Sequence, residues 1–488
     1  MKLRLSLSRF RNFLLKNERW GQALVKNLIW LALGQGMVRL VRMAVILSVV
    51  RVLGPMEYGR FALAYSFVTL FTGLLEGGVL IVASREFAAD PSNEKLLPNV
   101  VAIKVITNSI AAALVLPGMF WVTTDPIVRK CTVALLAQQF IFELGSSIYA
   151  ATRARGKMEY ESTLSFLQNA ILLVLTVAAL HFSSSAFTVS LAQLAAAVLW
   201  LPLLSFVVWK SGYRFEGGVH WSAIVHIGTL TAPLLLGSIA TAVYVNVDSI
   251  LLGKFGNLIE VGWYNAAVKV VQGILLIPIS LATIAVVPAF ASLLGSQENN
   301  LVQRWNKWRA FLIVTGGYVA ALLFASARPL VLSTFGAHFL PIVPIVRVMS
   351  VSIALMYVYT PYSQALIIYR KQTVLFACQA VAAVVSVTSN LITIPRYGMY
   401  GAAWTTVATQ GVLLLLLASV APRHAPNPFM GSRFGKVLLG CGVSAVIVIA
   451  CALWGANPWF DCALATGLFG IVWISVSKRF TLVLSAAK

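Results

Sequence analysis

Apolar runs of about 18 residues or more recur from Asn27 almost to the end of the chain, and only short loops part them. Wound as a helix, a run of that length crosses the ~30 Å hydrocarbon core of a bilayer. A transmembrane barrel would instead show alternating segments of about 10 residues, and these runs do not alternate. Charged residues make up 11% of the chain, against about 25% in soluble domains, so there is too little polar side chain to coat a water-soluble protein of 488 residues. The expected fold is an all-α polytopic membrane protein with about fourteen transmembrane helices, the first over 27–50 and the last over 461–477.

The turn after the first run reads LGPMEYGRFALA, and the turn after the seventh reads LGKFGNLIEVGWYNAA. Both open on Leu-Gly and then carry E-x-G-x-[FY]-x-x-A: Glu57, Gly59, Phe61 and Ala64 in one, Glu260, Gly262, Tyr264 and Ala267 in the other. An even number of spans separates the copies, so the halves share one orientation, as parallel repeats related by an axis along the membrane normal do. The chain therefore divides into a basic amphipathic N-terminus over 1–26, an N-terminal lobe of six spans over 27–210, a C-terminal lobe of six over 223–421, two additional spans over 434–477 and a tail over 478–488.

The net charge of +22 does not mark a nucleic-acid binder, because the basic residues lie between spans and form no single patch. With the N-terminus inside, about 25 Lys and Arg fall on the inner side and about 7 on the outer side, the bias of a protein whose two termini are both cytoplasmic. The first twenty residues lack an uninterrupted apolar core and a small-residue cleavage site, so they read as a surface helix on anionic headgroups and not as a cleaved signal.

Eight ionisable residues fall inside the spans: Arg39, Arg42, Lys104, Lys269 and Arg347, with Glu76, Glu143 and Asp248. Unpaired, each would cost roughly 3 kcal/mol, so each must pair or face a wet cavity. Arg39 and Arg42 are three residues apart and share a helix face, with Gln35 one turn below. Two roles are open to them: bonding to neighbouring helices, or meeting an anionic substrate, for which the planar guanidinium fork suits phosphate. Asp248 and Lys269 lie at similar depth, placed for a local salt bridge. Lys104 can pair with Glu76 or Glu143, and any of the acids left unpaired is a candidate site for a coupling ion, H+ or Na+. The intramembrane balance is positive and favours Arg39, Arg42, Gln35 and Lys269 as a cavity lining for an anion.

No catalytic set accompanies these residues. The five histidines are scattered, the five cysteines show no CxxC spacing, and neither a P-loop nor a GxGxxG is present, so no enzymatic role, metal or cofactor is expected.

The runs GQGMVRL, LGPMEYGRFALAYSF and LLEGGVLIVASREFA, followed by YVNVDSILLGKFG, VGWYNAAVK and IPRYGMYGAAWTT, resemble the polysaccharide transporter, or O-antigen flippase, family of the multidrug/oligosaccharidyl-lipid/polysaccharide exporter superfamily. Glu76 stands where that family often has Asp. The resemblance implies two six-helix lobes set as a V around a central cavity, similar to MATE transporters. It also implies a lipid-linked glycan as substrate, moved as a polyprenyl-diphosphate-linked O-antigen, capsule or exopolysaccharide repeat unit across the bacterial inner membrane by alternating access. A polymerase and other polysaccharide-assembly proteins are the partners it implies. A cation-coupled drug exporter of the same superfamily is the alternative, which the positive intramembrane balance disfavours. A membrane glycan polymerase or ligase is the more distant one, since its expected large outer loop is missing.

Overall fold

The computed structural model describes residues 20–71, 78–89, 96–154, 158–210, 218–273, 298–424, 434–453 and 457–485. Among them every regular element is helical. The chain opens with α1 (Trp20–Leu70), followed by α2 (Val79–Ala89), α3 (Leu96–Val122), α4 (Pro126–Ala154), α5 (Met158–Phe182), α6 (Ala186–Lys210) and α7 (Trp221–Phe255). Residues 258–273 form α8. Then come α9 (Glu298–Thr334), a 3-10 turn (Ala337–Ile342), α10 (Val343–Ile368), α11 (Gln372–His424), α12 (Phe434–Leu453) and α13 (Pro458–Ser485).

Two helices are about twice the length a bilayer needs, and each is broken by a glycine. Helix α1 has 51 residues and breaks at Gly54, whose φ of 68° lies in the left-handed region that a side chain disfavours. Helix α11 has 53 residues and breaks at Gly398, φ 54°. Each is therefore two helical rods joined at a one-residue corner. Pro55 follows the first corner, where its missing N–H would be unpaired in any case.

Seven helices among the described residues are long and apolar enough to cross a membrane by length and composition. Their packing is the reverse of a soluble protein's. The Glu159–Phe182 span has a mean hydropathy of 1.9, yet only 28% of it is buried inside the protein. Val174, Val198, Leu199, Val384 and Leu415 stand exposed on their helices, whereas Lys104, Glu143, Asp248, Asn169 and Asn390 are buried. Such a surface is stable only against lipid, where apolar side chains face hydrocarbon and polar groups turn inward. The protein is a multi-pass, all-α membrane protein.

The chain divides into two compact units, one made of the residues up to Leu53 with Arg60–Ala242, the other of Gly54–Gly59 with Val243 onward. In the first, α2 to α6 and the start of α7 enclose a core around Trp200, Phe87, Leu97, Leu164 and Ile227. Gly145 on α4 faces the Trp200 ring so closely that a Cβ would collide with it. The rings of Phe142 and Tyr149 flank the same indole at 6.1 and 6.4 Å. In the second unit α9, α10 and α11 pack side by side, and α12 and α13 lie on α9 through Cys441, Val448, Ala465 and Phe469 against Ile313, Val314 and Ala325. Gly316 makes room for Tyr357 and Gly317 for Phe469.

The two copies of the repeated turn meet inside the second unit. A Cβ on Gly59 would run into the Leu258 carbonyl oxygen, and one on Gly262 into the Pro55 carbonyl oxygen. Each obstructing carbonyl sits four residues before the other copy's glycine, so the crossing is reciprocal. Only glycine permits backbones to approach this closely.

Candidate functional site

In the first unit, Arg42 extends from α1 toward α5. Its Nε donates to Asn169 Oδ1 at 2.9 Å. Asn169 is 2% exposed and in turn donates from Nδ2 to the Ser165 carbonyl one turn earlier at 2.7 Å. Arg42 itself is exposed, and among the described residues Asn169 is its one hydrogen-bond partner. Arg39, on the same face of α1, is half-buried. Gln35 lies on α1 too, but its side chain is outside the described residues, as is Glu76 altogether.

Lys104 and Glu143 form the ion pair of this unit's interior. Lys104 Nζ lies 2.6 Å from Glu143 Oε2, and both side chains are 1% exposed. Gln139, one turn before Glu143, donates to its other oxygen at 3.1 Å. The structure realises the pairing of Lys104 with Glu143; Glu76, the other acid open to it, lies outside the described residues. As a unit the pair adds no net charge to the interior.

In the second unit, neutral donors hold Asp248, and Lys269 is not among them. Tyr264 donates its phenol to Oδ2 at 2.5 Å, Thr406 donates to the same oxygen at 3.2 Å, and Asn390 Nδ2 donates to Oδ1 at 2.6 Å. The expected local salt bridge is thus replaced by hydroxyls and an amide from α8 and α11. Lys269 instead donates to Gln272 on its own helix at 3.3 Å. Among the described residues, the amide oxygen of Asn390 is buried beside this cluster with no hydrogen-bond partner, as is the phenol oxygen of Tyr244 one turn before Asp248. Glu260, the acid of the second repeat copy, accepts from the Met399 N–H at 3.1 Å, directly after the Gly398 corner. It caps the helix that restarts there, where an acid also complements the helix dipole. Arg347 lies over the Phe324 ring at 5.3 Å.

The structure keeps the predicted residues in separate groups: Arg42 with Asn169, Lys104 with Glu143, Asp248 with Tyr264, Asn390 and Thr406. A reading that attends to charge alone misses Asn169, Gln139, Asn390 and Thr406. The available signal is a neutral polar residue set in an apolar run, which in lipid also needs a partner. No group of His, Cys, Asp and Glu able to hold a metal occurs among the described residues.

Known proteins share this architecture. The inward closed conformation of the lipid II flippase MurJ superposes with a TM-score of 0.71 at 13% identity, over 93% of this chain and 100% of that one. A MATE family multidrug resistance transporter of the MOP superfamily, in an inward-facing conformation, gives 0.66 at 14% identity, over 79% of this chain and 95% of its own. A MOP superfamily transporter from Pyrococcus furiosus gives 0.57 at 13%, over 84% and 97%. At these identities the likeness is one of fold. No curated protein matches the chain significantly. The sequence model of one family, described as polysaccharide biosynthesis protein, matches residues 24–294. That match takes in more than half of the chain, including the first copy of the repeated turn, Arg42, Asn169 and the Lys104–Glu143 pair, and the chain belongs to the polysaccharide biosynthesis protein family.

Proposed function

We propose that this protein is a flippase that carries a polyprenyl-diphosphate-linked oligosaccharide across the bacterial inner membrane by alternating access. The observation that carries the reading is the contrast between Arg42 and three other charges at depth, Lys104, Glu143 and Asp248. Lys104 and Glu143 satisfy each other, and Asp248 is held by three neutral donors. Among the described residues Arg42 has a single hydrogen-bond partner, a neutral amide, and it is exposed. A guanidinium in an apolar span is tolerated where it meets water or an anion, and its fork matches two phosphate oxygens. A cationic drug would be repelled by the same group. Arg39, Gln35 and Lys269 are the further proposed lining residues. MurJ is by its name a lipid II flippase, and the family is one of polysaccharide biosynthesis, so both support a lipid-linked glycan as cargo. Both termini are proposed to be cytoplasmic, and a polymerase and other assembly proteins to act on the product.

Asp248 is the proposed coupling acid. Glu143 is paired with Lys104, whereas among the described residues Asp248 is hydrogen-bonded by neutral groups alone, with the buried amide oxygen of Asn390 left without a hydrogen-bond partner beside it. A carboxylate with neutral oxygens around it suits H+ or Na+.

The test is surface glycan in a strain lacking the native gene, measured alongside membrane-fraction protein. Arg39→Ala with Arg42→Ala is expected to abolish export while the protein stays inserted, and Arg42→Lys to reduce it. Normal export from the double variant would end the proposal, and loss of export together with loss of protein would assign the arginines to structure. Collapsing the proton and sodium gradients in the same assay should stop export; export that continues would remove the role given to Asp248.

A further inference from the structure

We infer that Asn169 is a positioning residue that turns Arg42 into an end-on fork for two oxygens of one phosphate group; this rests on the reading of Arg42 as the contact for the diphosphate head. A guanidinium offers oxygen pairs two kinds of edge, one made by Nε with a terminal nitrogen and one made by the two terminal nitrogens. Asn169 Oδ1 takes the Nε–H at 2.9 Å and so occupies the first. The terminal edge stays uncommitted among the described residues.

The amide can do this in one orientation only. Its Nδ2 is committed to the Ser165 carbonyl at 2.7 Å, so the oxygen faces Arg42 and the amide cannot flip without losing both bonds. Asn169 is 2% exposed and rides on α5, so the anchor is rigid where the arginine is not. A long, flexible side chain is thereby held with its plane set before the ligand arrives, which lowers the ordering cost of binding. Asparagine suits the task better than aspartate. A carboxylate there would neutralise the cation and compete with phosphate, whereas the neutral amide leaves the full charge for the ligand.

The experiment is a double-mutant cycle on the full chain in nanodiscs, with farnesyl diphosphate as the probe and affinity taken per amount of monodisperse protein. Asn169→Leu should weaken binding about tenfold when residue 42 is Arg, and should add nothing in the Arg42→Lys background, since an ammonium has no fork to orient. An equal loss in both backgrounds, or no loss in the first, would overturn the positioning role and leave the function of Arg42 standing. Arg42→Ala binding the probe as tightly as wild type would defeat both. Should Asn169→Leu not give monodisperse protein, Asn169→Ala removes the same acceptor and takes its place in the cycle.

Discussion

Lys104 and Glu143 are each 1% exposed and 2.6 Å apart, inside a protein that itself sits in hydrocarbon. Removing one member of such a pair strands an uncompensated charge at a cost of about 3–5 kcal/mol, whereas replacing both with apolar side chains of similar size is often neutral. Lys104→Met alone should therefore deplete folded protein and lower its melting temperature in detergent. Lys104→Met combined with Glu143→Leu should recover most of the loss. A double variant no more stable than the single one would show that the pair holds something besides its own two charges. The contrast with Arg42 is chemical. The Lys104–Glu143 pair is neutral as a unit, whereas Arg42 meets a neutral amide among the described residues and keeps its full charge.

Among the helices, the repeated turn imposes the tightest constraint. The Gly59 and Gly262 backbones approach until each glycine faces the other copy's carbonyl. A β-branched side chain at either position forces the crossing apart, and overpacking of this kind costs typically about 1–3 kcal/mol. Because the contact is reciprocal, Gly59→Val and Gly262→Val should destabilise by similar amounts, and the double variant by less than their sum, as coupled neighbours do. Thermal unfolding in detergent reads this directly, and simple additivity would show that the two glycines do not share one contact. Gly145 beside Trp200 is a second example, in which a missing side chain on one helix is the space filled by the largest side chain of another.

For the whole molecule, the controlling quantity is the distribution of charge along the chain. With a net charge of +22 placed mostly between alternate spans, one orientation is strongly favoured during insertion. Reporter fusions after Ser184 and Asn457 should report periplasm, and fusions after Ser211 and Lys488 cytoplasm. The reverse pattern at both ends would overturn the topology on which the proposed direction of transport depends. The apolar exterior and polar interior also mean that stability depends on the solvating lipid or detergent, because the exposed Leu and Val faces are not covered by the described residues.

Membrane residence, the helical class and the repeated turn were legible in the sequence because each shows in local stretches of residues. A bilayer admits only segments that satisfy their own backbone bonds, so length and hydropathy name the crossings without reference to any neighbour. The Leu-Gly motif marked both copies of the turn as a sequence pattern, although its glycines and Glu260 act at long range, Gly59 against the Leu258–Gly262 backbone and Glu260 on the Met399 N–H. Which polar groups meet was decided by the tertiary structure. Arg42 finds Asn169 at a separation of 127 residues, Lys104 finds Glu143 at 39, and Asp248 finds Asn390 and Thr406 at 142 and 158. Helical spacing places two residues on one face of one helix, but the rotation of that face toward a neighbour follows from how all the helices pack. That is why two arginines read from the sequence as an equivalent pair, while the fold leaves Arg39 half-buried and holds Arg42 exposed against a buried amide.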